Sequence, residues 1–264
     1  MSKQRPVTLG LKLTLLLLIV CLTMSSAIAQ ESPNIEKLLE AAIKAGEGED
    51  RAAWAEHAFK RHVLRQKLDE EGVVTWRQEM IFQITPTADG FDETLLEMDG
   101  RPATAAEVEE HKKAGRFQAH YEKTSELALE NPFGKDLALL PLLYDQEHEY
   151  VGIEKFNGTP CHRIRWQARE ESRSLPWQEK LKHAMKGTLC IAADDPDLIH
   201  ADMETTREVK KGPVKMDKVR IAFNARPVGD VYLPSKIEMV SQIKIPGRRF
   251  RTHNIYRFTN YRKP

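Results

Sequence analysis

Cysteine is scarce in this chain of 264 residues: Cys21, Cys161 and Cys190 only, with no Cys-x-x-Cys pair among them. The strongest cysteine signature of a redox or zinc site is therefore missing. Catalytic glycine patterns are missing too. There is no Gly-x-Ser-x-Gly, no phosphate-binding Gly-Lys-Ser/Thr loop and no dinucleotide glycine motif, and no His-Glu-x-x-His occurs. Nothing in the motif content argues for an enzyme, and no cofactor is implied. Long apolar runs are absent after the N-terminus. The one clear run, Leu13 to Met24, is uncharged and about 12 residues long, short of the roughly 20 needed to span a bilayer.

That run has a positive start (Lys3, Arg5, Lys12) and small residues, Ala27 and Ala29, placed for cleavage before Gln30. Residues 1–29 are thus expected to be a cleaved signal peptide, and residues 30–264 a single soluble exported domain. A small residue would precede Cys21 in a lipid-anchored product, and Val20 stands there instead. Cys161 and Cys190 would then remain in an oxidising compartment.

Net charge is near zero, but it is unevenly distributed. Arg207 to Pro264 holds 15 Lys and Arg against four acids, so an acidic and a basic face are expected. Lys210, Lys211, Lys215, Arg248, Arg249 and Arg251 form a candidate basic docking surface for an anionic membrane or an acidic partner. A solvated strand face that guards a sheet edge explains the same residues. Nucleic acid is not expected, because the aromatics on these strands alternate away from the arginines.

Helical spacing of Ile35, Leu38, Leu39, Ala42 and Ile43 predicts an amphipathic helix over Pro33–Ala45, closed by Gly46. Arg51–Leu68 reads as either helix or strand, ending in the turn Asp69-Glu70-Glu71-Gly72. The period then changes to two, with Val74, Trp76, Met80, Phe82 and Ile84 on one face. Thr104 followed by Glu107 matches a capping box, opening a helix from Ala105 to about Tyr121. Asn157-Gly158 between alternating runs is a hairpin signal. A short helix is expected over Pro176–Lys186, stopped by Gly187. Strands follow at Thr188–Ala192, Leu198–Val209, Lys218–Asn224, Val231–Ile245 and Arg248–Tyr261. Short turns make them an antiparallel meander, so the expected class is α+β: a curved antiparallel sheet with helices over its apolar face.

Two acidic clusters, Asp194-Asp195-Pro196-Asp197 with His200 and Asp202, and Asp145 with Glu147, His148 and Glu149, have the ligand chemistry of a cation or acid–base site. Tight-turn and strand-edge roles account for both. The histidines, His57 and His62 included, read as surface residues. Cys161 and Cys190 are compatible with a disulfide, a metal pair or independent thiols. Both fall opposite the apolar face, which allows a bridge, but both lie near the starts of their expected strands, a register that partly opposes one.

The strand Gly187 to Asp194, the strand Ile199 to Arg207, the segment Val231-Tyr232-Leu233-Pro234-Ser235-Lys236 and the closing Tyr256-Arg257-Phe258-Thr259-Asn260-Tyr261-Arg262-Lys263 together resemble the outer-membrane lipoprotein-sorting protein superfamily of LolA/LolB-like periplasmic proteins. The resemblance implies an unclosed, strongly curved antiparallel β-barrel with helices as a lid over an apolar cavity. It implies a periplasmic location and a non-enzymatic binder or carrier of lipid or lipoprotein acyl chains. It also allows an alternative, a sensor or scaffold docking a membrane-protein partner through its sheet edge and basic C-terminal strands. The residues expected to line such a cavity are Trp76, Met80, Phe82, Ile164, Trp166, Ile191, Met203, Ile221, Phe223, Ile237, Met239 and Phe250. A filled core with no void would use the same residues.

Overall fold

The computed structural model describes residues 33–47, 56–87, 90–113, 146–168 and 183–263. The expected signal peptide lies outside them, as do residue 145 and all but the last four residues of the helix expected over Pro176–Lys186. Residues Asn34–Pro264 form one compact unit.

Asn34 caps the first helix, its side-chain oxygen accepting from the Lys37 amide at 3.0 Å. This helix, α1, spans Ile35–Glu47, one residue beyond the glycine expected to close it. Leu39, Ala42 and Ile43 on one face are buried in the core. The chain then enters β1 (Ala58–Leu68), so that part of the ambiguous segment is strand, while residues 51–55 lie outside the described residues. A turn leads to β2 (Val74–Thr87), and β3 (Gly90–Met98) and the two-residue β4 (Arg101–Pro102) follow.

The capping box forms as the sequence predicts. The Glu107 amide donates to Thr104 Oγ1 at 3.3 Å, and the Thr104 amide donates to Glu107 Oε2 at 2.8 Å. Arg101 adds a donor at 2.9 Å. Hydrogen bonds from Arg101 and Thr104 lower the Glu107 pKa to about 2. The second helix, α2, is described over residues 105–113.

The remaining strands are β5 (Gln146–Phe156), β6 (Thr159–Ala168), β7 (Met185–Ala192), β8 (Leu198–Thr205), β9 (Val209–Lys211), β10 (Val214–Val228), β11 (Val231–Ile245) and β12 (Arg248–Arg262). Asn157 (φ 49°) and Gly158 (φ 90°) make the β5–β6 turn, with the left-handed backbone that two-residue hairpins need.

Among the described residues every strand pairing is antiparallel, and the strand order is β4-β3-β2-β1-β12-β11-β10-β8-β7-β6-β5, with β9 on β10. Among the described residues twelve strands form one sheet that does not close on itself, so the fold is α+β with an open antiparallel sheet. β5 to β12 run as the expected meander. The N-terminal strands join it through β1 against β12 (Val63 opposite Tyr256).

Three expectations need correction. β7 begins at Met185, so residues 185–186 are strand and Gly187 lies inside β7, opposite Trp166 and Met203, rather than ending a helix. The expected strand over Leu198–Val209 divides into β8 and β9. His57 is buried, packed edge-on to the Tyr261 ring at 6.3 Å between centroids.

Candidate functional site

Side chains alternate along a strand, so residues directly opposite one another share a face. On one face, here the core face, Val63 is flanked by Met80 and Tyr256, and Tyr256 faces Ile237. One buried cluster holds Met80, Phe82, Ile164, Trp166, Ile191, Met203, Ile221, Ile237 and Met239, together with α1 residues, and Phe223 packs against it. Val108 of α2 also packs there. These ten residues belong to the set expected to line a cavity, and the fold brings them to one face.

The other two do not lie in that interior. Trp76 is 42 % exposed and Phe250 39 %. Both stand on the core face at the end of the sheet where the β1–β2 and β11–β12 turns lie. Trp76 is opposite Lys67, whose ammonium sits 5.1 Å from the indole centroid, and Phe250 is opposite Ile243. Val73 in the neighbouring turn and Val74 at the start of β2 are exposed as well. On this face Gln78 of β2 and Asn254 and Thr252 of β12 separate the buried cluster from Trp76 and Phe250.

An ion cluster sits in the apolar field. Arg61 falls between Phe82 and Phe258 in register, on the core face that Phe59 and Val63 also occupy. Its guanidinium lies 5.0 Å from the Phe82 ring centroid and forms an ion pair with Glu93 of β3. His111 of α2 completes the group: Nε2 is 3.2 Å from Glu93 Oε1, and the imidazole lies 4.7 Å from the Phe82 ring. Burial pushes the Glu93 pKa up, but the hydrogen bonds from His111 and Arg61 and the Arg61 charge outweigh it, and the net direction is down. The cluster ties α2 to the sheet. Sequence reading missed it because the partners are 18 to 50 positions apart; the available signal was a lone arginine in the alternating run Phe59, Arg61, Val63.

Cys161 and Cys190 form a disulfide, with Cα atoms 5.4 Å apart. They are diagonal neighbours, Cys161 opposite Ala192 and Cys190 opposite Arg163. The register objection disappears because β7 starts three residues before the expected Thr188, which puts Cys190 near its end. The pair lies in a small second cluster with Ala192, Ile199, Phe156 and Tyr232.

Among the described residues no group of three His, Cys, Asp or Glu is placed to hold a metal ion. In the first acidic cluster, the Asp197 amide donates to the Asp195 carbonyl at 2.7 Å within the turn, and Asp202 pairs with Arg220 at 2.6 Å. In the second, Glu149 pairs with Arg165 at 2.6 Å.

The basic residues gather at the end of the sheet that carries Trp76. Lys210 is opposite Lys215, Lys215 opposite Lys244, and Lys244 opposite Arg249. Arg248 is exposed, Lys211 stands opposite Val214, and Arg251 Nη1 lies 3.4 Å from where a Cβ of Gly72 would be. Lys244 was not anticipated, although the Pro246-Gly247 turn places it across from Arg249.

No family model matches the chain, and no curated protein does. Solved structures do. A DUF1329 family protein from Desulfovibrio piger shares 10 % identity at a TM-score of 0.36, covering 85 % of this chain and 92 % of its own. A LolA superfamily protein from Nitrosomonas europaea shares 11 % at 0.32, covering 87 % and 93 %. A putative outer membrane lipoprotein-sorting protein domain from Vibrio parahaemolyticus shares 12 % at 0.31, covering 85 % and 92 %. These values describe chains matched over most of their length without close superposition.

Proposed function

We propose that the protein is an exported, periplasmic, non-enzymatic binder or carrier of lipid or lipoprotein acyl chains, which it holds against the core face of its open sheet. The observation that carries this is the apolar content of that face: Met80, Tyr256 and Ile237 lie in the buried cluster, and exposed Trp76 and Phe250 stand at the end of the sheet beyond a polar belt of Gln78, Ser241, Thr252 and Asn254. A guest chain would enter where the apolar face is uncovered and extend toward the residues under α1 and α2. Each methylene moved out of water contributes about 0.8 kcal/mol, so a long acyl chain supplies roughly 10 kcal/mol before ordering costs. Methionines 80, 203 and 239 make that wall deformable.

Native mass spectrometry and lipid extraction on the purified exported protein test the proposal. Co-purifying acyl chains support it; a protein that stays empty and does not take up a fluorescent fatty-acid probe refutes it.

A second reading is favoured by one feature. Among the described residues β5 is an edge strand of 11 residues, with Val151 and Ile153 exposed. Such an edge can accept a strand from a membrane-protein partner. A photo-crosslinker at Ile153 that captures a membrane protein in cells would favour this role, and an acyl-loaded protein without such crosslinks would favour the first.

A further inference from the structure

We propose that the end of the sheet bearing the β1–β2, β9–β10 and β11–β12 turns docks on an anionic phospholipid surface. The proposal is independent of whether the core face holds a guest. It rests on the cross-strand register of four cations, Lys210, Lys215, Lys244 and Arg249, one on each of four adjacent strands. Like charges directly opposite destabilise a sheet pair, so the fold here tolerates repulsion that an anionic surface would relieve.

Carboxylates relieve part of it. Glu208 lies 3.5 Å from Lys210, Asp217 2.7 Å from Lys244, and Glu70 3.4 Å from Arg249. Lys215 is exposed and has no ion-pair partner among the described residues. The β1–β2 turn brings two further acids. Asp69 is engaged by the Val73 amide at 2.7 Å, and Glu71 is exposed.

Charge alone fits an acidic protein as well as a membrane, and the apolar residues decide between them. Trp76, Phe250, Val73 and Val74 are exposed at the same end. The cation row lies on the outer face and the aromatics on the core face, so both reach one partner only if it meets the end of the sheet. A flat lipid surface does so: headgroups meet the cations while tryptophan and phenylalanine enter the interface.

The test is sedimentation of the purified protein with phosphatidylcholine vesicles, with and without phosphatidylglycerol, at low and raised salt. Binding is expected only with phosphatidylglycerol and should weaken as salt rises. Lys215→Glu with Arg249→Glu should lower partitioning by about tenfold or more, and Trp76→Ala with Phe250→Ala should lower it at any salt. The control with the same charge change is Arg163→Glu with Arg165→Glu on β6, which should bind as the parent does. Circular dichroism and the intact disulfide verify folding of each variant.

Equal binding to neutral vesicles, equal loss in the β6 control, or retention of an acidic polypeptide by the Lys215 row with no vesicle binding would each overturn the proposal. Acyl content of the same variants, read by native mass spectrometry, separates this failure from failure of the carrier proposal.

Discussion

His111 and Glu93 come from different layers of the fold, helix and sheet, and their side chains meet at 3.2 Å. Arg61 reaches the same carboxylate from β1. Because the folded-state pKa of Glu93 lies below its usual 4.5, its contribution to stability is complete above that value and is lost as pH falls through the folded value. Glu93→Gln should destabilise the protein at neutral pH by about 1–3 kcal/mol, the cost of replacing charge-assisted hydrogen bonds to a half-buried carboxylate with those to a neutral amide. It should also flatten the acid limb. Denaturant unfolding at neutral pH and below the carboxylate range checks both, and an acid limb identical to that of the parent would remove Glu93 from this role.

The Cys161–Cys190 bridge spans a sequence separation of 29, for which chain entropy gives about 3 kcal/mol. Replacing both residues by serine should lower stability by roughly that amount without changing the β-sheet signal in circular dichroism. Thiol titration of the chain from Gln30 onward, denatured but not reduced, should find none; two would contradict the bridge.

Local chemistry made much of the fold legible. Asn157-Gly158, the Thr104–Glu107 box and the strand Val231–Ile245 were fixed by turn geometry, capping and alternation within a few residues of each. What sequence reading missed depends on distant partners. Nothing near Phe59 says that β1 will lie between β2 and β12, so Arg61 could not be placed beside Glu93. Trp76 and Phe250 obey the same alternation as the buried residues, and only where the covering packing ends distinguishes them.

Gly187 shows the same dependence on long-range packing. A Cβ there would fall on the Asp202 carbonyl oxygen and lie 2.9 Å from Trp166 Nε1 and 3.1 Å from the Met203 Cα. Two of these are backbone atoms held in the β7–β8 ladder, so they cannot yield cheaply. Gly187→Ala is expected to cost about 1–3 kcal/mol, as overpacking does, despite replacing a glycine in a strand. Thermal unfolding checks this, and a variant as stable as the parent would show that β7 and β8 can separate locally.

Phe82 and Trp76 lie on the same face of the same strand and should respond oppositely to truncation. Phe82 is 1 % exposed and packed under Arg61 and His111, so Phe82→Ala should cost about 3–5 kcal/mol. Trp76, 42 % exposed with Lys67 over its ring, should cost well under about 1 kcal/mol when replaced by alanine. If acyl chains enter past the open end of the core face, that nearly silent variant should still bind a fluorescent fatty acid more weakly, with the loss in the association rate. Stopped-flow binding beside denaturant unfolding reads both quantities. Unchanged association by Trp76→Ala would place any entry route elsewhere, and a large stability loss would show that the indole belongs to the packed interior.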